Sequence, residues 1–169
     1  MGTACIFNEA RSGNRGLRLN MEISYRKAFI DDLKIISELS ILMCSGDYCG
    51  EHDEGFLKKS LLNPKRALFL AFDDDIAVGF SHVVIKNETC WTEKESNPVG
   101  HLEAIYVCPD YRKQGIAKKL IIMCENWSKE NGCVELASDC DLDNEGSLVF
   151  HLKIGFKETH RLIHFSKSL

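Results

Sequence analysis

At 169 residues, with 44% hydrophobic and 27% charged residues, the chain has the balance of one domain with a sizeable core. A net charge of −4, and the lack of any apolar run as long as a membrane span, argue against nucleic acid and membrane as partners. Eight cysteines without one C-x-x-C pair argue against a disulfide framework and a metal site, and for reduced thiols in a cytoplasmic protein.

Residues 1–20 are dominated by Gly, Ser, Asn and Arg, so a disordered extension is expected ahead of a domain over 21–169. Alternation through Ile23 and Tyr25 predicts a strand at 22–27. Asp31 and Asp32 can cap a helix reaching about Met43, with Ile36 and Leu39 among its apolar members. After an acidic, turn-rich loop at 45–53, a second helix is expected at 54–62, stopping before Asn63 and Pro64. Apolar runs at 67–72 and 76–85, either side of Asp73, Asp74 and Asp75, predict a hairpin. Residues 87–97 are polar and read as a loop.

A strand is expected at 101–107 and a helix at 116–130, with Ile116, Leu120, Cys124 and Trp127 on one face. Asn131 and Gly132 end that helix. A strand at 133–137, a helix at 145–152 and a last strand at 161–166 complete the chain. The class is α/β: a mixed, largely antiparallel sheet with flanking helices and one β-α-β crossover.

The stretch 97–119 carries the first functional signal. A strand leads through Cys108, Pro109 and Asp110 into a basic turn, Arg112, Lys113, Gln114 and Gly115, and then a helix at Ile116 and Ala117. The N–H groups of a first helical turn lack intrahelical partners, so such a turn suits a phosphate. Lys118 and Lys119 add positive charge. The same residues can also be a basic turn that caps an ordinary helix. The three glycines of a dinucleotide fingerprint and the Lys-Ser/Thr pair of a Walker loop are both missing.

The pattern R-x-x-G-x-A after a strand ending in Val107 and Pro109 resembles the acyl-CoA loop of the GNAT N-acetyltransferase superfamily. The predicted order of elements is the order that superfamily uses. Within it, NPVGHLEAIYV (97–107), LASDCDLDN (136–144), GFKET (155–159) and HFSK (164–167) are similar to the aminoglycoside 6′-N-acetyltransferases, above all those of Acinetobacter-type bacteria. The resemblance implies acetyl-CoA as cofactor, an aminoglycoside or another small polyamine as substrate, antibiotic resistance as the outcome, and a homodimer.

Residue by residue, the resemblance puts Glu103 and Asp139 against the reacting amine, and the backbone of Ile105, Tyr106 and Val107 along the pantetheine arm. It puts Arg112, Lys113, Gln114, Gly115, Ile116, Ala117 and Lys118 around the pyrophosphate, and Asn144 on CoA. His151 stands where many relatives have a tyrosine that protonates the departing thiolate. An imidazolium can donate that proton, or the ring can simply pack beneath CoA. The drug pocket departs from the family pattern. Met43 stands for a usual Trp, Glu88 and Trp91 occupy a longer loop, and His160 replaces an acidic residue.

The chemistry asks for carboxylates. An ammonium must lose a proton before its nitrogen can attack a thioester, and Glu103 or Asp139 can take it, directly or through water. Asp139 lies at the end of a strand, five residues ahead of Asn144 and too early to cap the next helix, which Asp143 or Asn144 does. A backbone N–H near Val107 can hold the developing oxyanion. No residue need be acylated, so direct transfer in a ternary complex is expected. The rival readings are an acetyltransferase of another small amine, such as a polyamine or amino sugar, and a non-catalytic acyl-CoA sensor.

Overall fold

A computed structural model describes residues 22–43, 53–87, 92 and 97–168. The extension at 1–20, most of the acidic loop with Asp47 and Glu51, and the substrate candidates Glu88 and Trp91 lie outside the described residues. Among the described residues five strands bond in chain order: β1 (Ile23–Lys27), β2 (Arg66–Asp73), β3 (Ile76–Lys86), β4 (Val99–Val107) and β5 (Leu136–Ser138). Neighbours from β1 to β4 are antiparallel, whereas β4 and β5 are parallel. A parallel pair needs a crossover, which α3 (Ile116–Glu130) supplies.

The central strands read as continuous apolar runs because both of their faces are covered. On one face α1 (Leu33–Met43) and α2 (Glu54–Leu62) pack Ile36, Leu39 and Leu57 over Leu68, Leu70 and Phe80. On the other, α3 presses Leu120, Ile121 and Cys124 over Phe69, Val78 and Val83. Helix starts are capped by side chains: Asp53 accepts from the Phe56 N–H at 2.6 Å. Asn144 accepts from the Ser147 N–H at 3.0 Å and opens α4 (Glu145–Lys153). Asp32 is buried, takes a two-pronged ion pair from Arg26 at 2.7 Å and also accepts from the Phe29 N–H.

Two expectations need correction. Residues 161–166 do not form a strand: the chain there is irregular, with Ile163 77% and Phe165 91% exposed. Its apolar pattern suits a strand, but a strand needs a neighbour to bond with. The fifth strand is also shorter than 133–137 and starts later, at Leu136. Cys133 folds back instead, donating its N–H to the Ser128 carbonyl at the end of α3.

Two irregularities of β4 make the site. Val83 pairs with Leu102 and His82 with Ala104, so Glu103 is the extra residue of a β-bulge. Leu102 accordingly packs on the α3 side and Ala104 on the opposite side. Further, β5 pairs β4 only from Gly100 to Leu102 and stops at Ser138, while β4 runs on to Val107. The sheet forks there.

Candidate active site

Past the fork, β4 keeps one edge free of β5. The Cys108 N–H donates to the Val78 carbonyl, toward β3. Strand alternation then directs the N–H and carbonyl groups of Val107 and Ile105 to the opposite edge, which β5 has left. The Val107 carbonyl there accepts from Arg112 Nε at 2.9 Å, and the guanidinium lies over the Tyr106 ring. Arg112 thus braces the turn as well as charging it.

The turn itself has two left-handed residues, Lys113 (φ 62°) and Gly115 (φ 82°), the second capping α3. Ile116 is buried against the α3-side core and fixes the helix start, while Lys113, Gln114 and Lys118 stay exposed. A Cβ placed on Gly115 would meet nothing within 4 Å, so the turn stands clear of the rest of the fold at that point. These residues fit the phosphates of acetyl-CoA: backbone donors, cations and room meet at one helix N-terminus.

At the fork the structure brings Glu103 and Asp139 together through a residue the sequence reading passed over, His101. Its Nδ1 lies 3.2 Å from Glu103 Oε1 and its Nε2 lies 3.3 Å from Asp139 Oδ2. Lys86 Nζ reaches the same Glu103 oxygen at 2.9 Å. Burial works against the charge of Glu103, but His101 and Lys86 outweigh it and bring its pKa down to about 2. Asp139 is also held below its ordinary value, mainly by His101. Its side chain remains 87% exposed, available to a ligand. The signal for His101 was present in the sequence: a histidine two residues before Glu103 in an apolar strand. Lys86 gave none.

His151 sits on α4 between the rings of Phe150 and Phe156. Its Nδ1 lies 2.7 Å from the Ser147 carbonyl, a hydrogen bond in the tautomer that has its proton on Nδ1. Its Nε2 meets the Ser138 hydroxyl at 2.9 Å, and that hydroxyl also reaches the Leu102 carbonyl at 3.4 Å. The ring therefore ties α4 to the fork. Asn144 spends its side-chain oxygen on the helix cap. His160 lines a cleft of about 180 Å³ with Asp139, Asp141 and His151. Met43 sits at the end of α1, against the core cluster that includes Ile36, Leu39 and, from β4, Ala104 and Tyr106.

A forked sheet with a basic turn at the end of its open strand is the acyl-CoA-binding architecture, and the comparisons with known proteins agree. The acetyltransferase (GNAT) family profile matches residues 35–156, and the chain belongs to that family. It is accordingly an acetyl-CoA-dependent N-acetyltransferase. Among curated proteins it is similar to the aminoglycoside N(6′)-acetyltransferase type 1 of Acinetobacter genomosp. 13, at 40% identity over 70% of this chain and 84% of the relative. The enzyme of the same name from Acinetobacter haemolyticus is 42% identical over 64% and 75% of the two chains. Among solved structures it is similar to AAC(6′)-Iy bound to the bisubstrate analogue CoA-S-monomethyl-acetylneamine. That match has a TM-score of 0.79 and 30% identity, over 88% of this chain and 99% of that one.

Proposed function

We propose that the protein transfers the acetyl group of acetyl-CoA to the 6′-amine of aminoglycoside antibiotics, by direct attack in a ternary complex, and so confers resistance. One observation carries this reading: two carboxylates stand beside the open edge of the strand that leads to the phosphate turn. Glu103 and Asp139 would hold a cationic amine where the free edge of Ile105 and Val107 holds the acyl donor. Bound acetyl-CoA supplies the acetyl group as a thioester, whose C–S bond breaks as the amine N–C bond forms. The protein's own tasks are to bind the polycation, remove one ammonium proton and align the nitrogen. The relatives named above support the choice of substrate over other amines.

The site roles follow the same geometry. Lys113, Gln114, Gly115, Ile116, Ala117 and Lys118 cradle the pyrophosphate, with Arg112 bracing them. The Val107 N–H lies on the open edge and is the donor for the developing oxyanion. His151 can pass a proton toward the thiolate through the Ser138 hydroxyl it touches. Asn144, its oxygen used by the cap, has its amide N–H groups left for CoA.

The functional form is a homodimer. Support comes from the exposed Leu162, Ile163 and Phe165, and from β5, whose outer edge pairs with no described strand. A cytoplasmic location is supported by the supply of acetyl-CoA there and by the free thiols of Cys108, Cys124, Cys133 and Cys140. Among the described residues no helix is long and apolar enough to cross a membrane. The test is thiol release from acetyl-CoA with kanamycin, tobramycin, spermidine and glucosamine in turn. Turnover with the 6′-amino drugs is expected. Activity on spermidine or glucosamine alone would replace the reading with another small-amine acetyltransferase.

A further inference from the structure

The two carboxylates at the fork are poor final acceptors for a proton. Glu103 is held at about 2, and a base serves best when its pKa lies near the working pH. The group between them is different in kind. His101 is buried, only 8% exposed, and each of its ring nitrogens faces one carboxylate oxygen. Its Nδ1 and the Glu103 oxygen opposite are shut off from solvent, and neither has a hydrogen bond of good geometry. Such a contact is held by charge. Burial works against that charge, yet Asp139 and Glu103 outweigh it and keep the ring above the ordinary imidazole value.

We propose that His101 is a positioning residue that receives, through Asp139, the proton the substrate ammonium must lose. The inference rests on the amine-acetylating activity proposed above. For this transfer the neutral ring must carry its proton on Nδ1, toward Glu103, and leave the Nε2 lone pair toward Asp139. The amine nitrogen keeps the electron pair of its broken N–H bond, and the proton goes to an oxygen of Asp139. From there it passes across the 3.3 Å contact to Nε2. The ring ends as an imidazolium between two carboxylates, and the amine is free to attack.

Among the described residues, the charged groups that face the ring are Lys86 from β3, Glu103 from β4 and Asp139 beyond β5. His151 of α4 is set behind Ser138 and bonds to its hydroxyl. With the ring charged, two cations balance two carboxylates. With the ring neutral, the fork carries one net negative charge and favours a cationic substrate. Both effects have the same sign: the competent enzyme has a neutral His101, so activity falls as the pH drops through the titration of that ring. The exposed Asp139 side of the bridge is also open to screening by salt.

The test follows the His101 imidazole by NMR in the ligand-free protein and in Asp139→Asn, and records kcat/KM against pH for wild type, His101→Phe and His101→Gln. Expected are a lower His101 pKa in Asp139→Asn and a wild-type acid limb that coincides with the ring's titration. In both His101 variants that limb should be gone and the rate reduced about 10²-fold. An unmoved His101 pKa in Asp139→Asn overturns the proposal with no substrate needed. So does an unchanged pH profile in His101→Gln. A wild-type enzyme inactive on every amine would instead overturn the activity on which the inference rests, while the titration still reports whether the bridge exists.

Discussion

Among single residues, Asp139 and Glu103 divide the work by exposure. Asp139 is open to ligand and Glu103 is pinned between His101 and Lys86. Asp139→Asn is therefore expected to lose drug turnover while CoA binding, measured calorimetrically, stays within about twofold; full activity in that variant would remove Asp139 from the mechanism. Lys86→Met should raise the Glu103 pKa from about 2 toward the ordinary carboxylate range, because a cation 2.9 Å away is lost. A carboxyl NMR titration reads that shift directly. His151→Phe keeps an aromatic ring between Phe150 and Phe156 but cuts the link to Ser138. A fall of about tenfold or more in acetyl transfer with intact circular dichroism is expected if the ring donates a proton. An unchanged rate makes it a packing residue.

At the level of elements, the fork and the turn after β4 both depend on glycine. A Cβ on Gly100 would collide with the Ser128 side chain on α3, at the first rung of the β4–β5 pair. Gly100→Ala is expected to lose about 1–3 kcal/mol of stability by overpacking, read as a lower Tm. Gly115 faces open space, so a side chain there meets strain rather than a clash. Its left-handed φ costs a branched residue about 1–2 kcal/mol, and Gly115→Val should weaken CoA binding about tenfold.

Most elements were readable in the sequence because their signals are local. The apolar face of α3 and the Asp53 and Asn144 caps need no knowledge of the fold. The bulge at Glu103 was not readable. Simple alternation leaves that carboxylate on either face, and only the register against β3 turns it toward His101 and Lys86. The last strand failed for the opposite reason: residues 161–166 have the right pattern and no partner among the described residues.

For the whole molecule, charge links stability to pH through the same residues. Glu103 and Asp32 have lowered pKa values, so each stabilises the fold above its unfolded value and loses that contribution as the pH falls through its folded one. For Glu103 that loss runs from the ordinary carboxylate range down to about 2. His101 has the opposite sign: its raised pKa stabilises fully below the unfolded imidazole value and fades as the pH rises through the folded one. Whether the fork presents a 6′-amine to acetyl-CoA is read by the thiol-release assay combined with the regiochemistry of its product. Acetylated kanamycin should carry its new acetyl group on the 6′-nitrogen. Acetylation at another amine, or turnover confined to spermidine or glucosamine, would contradict it.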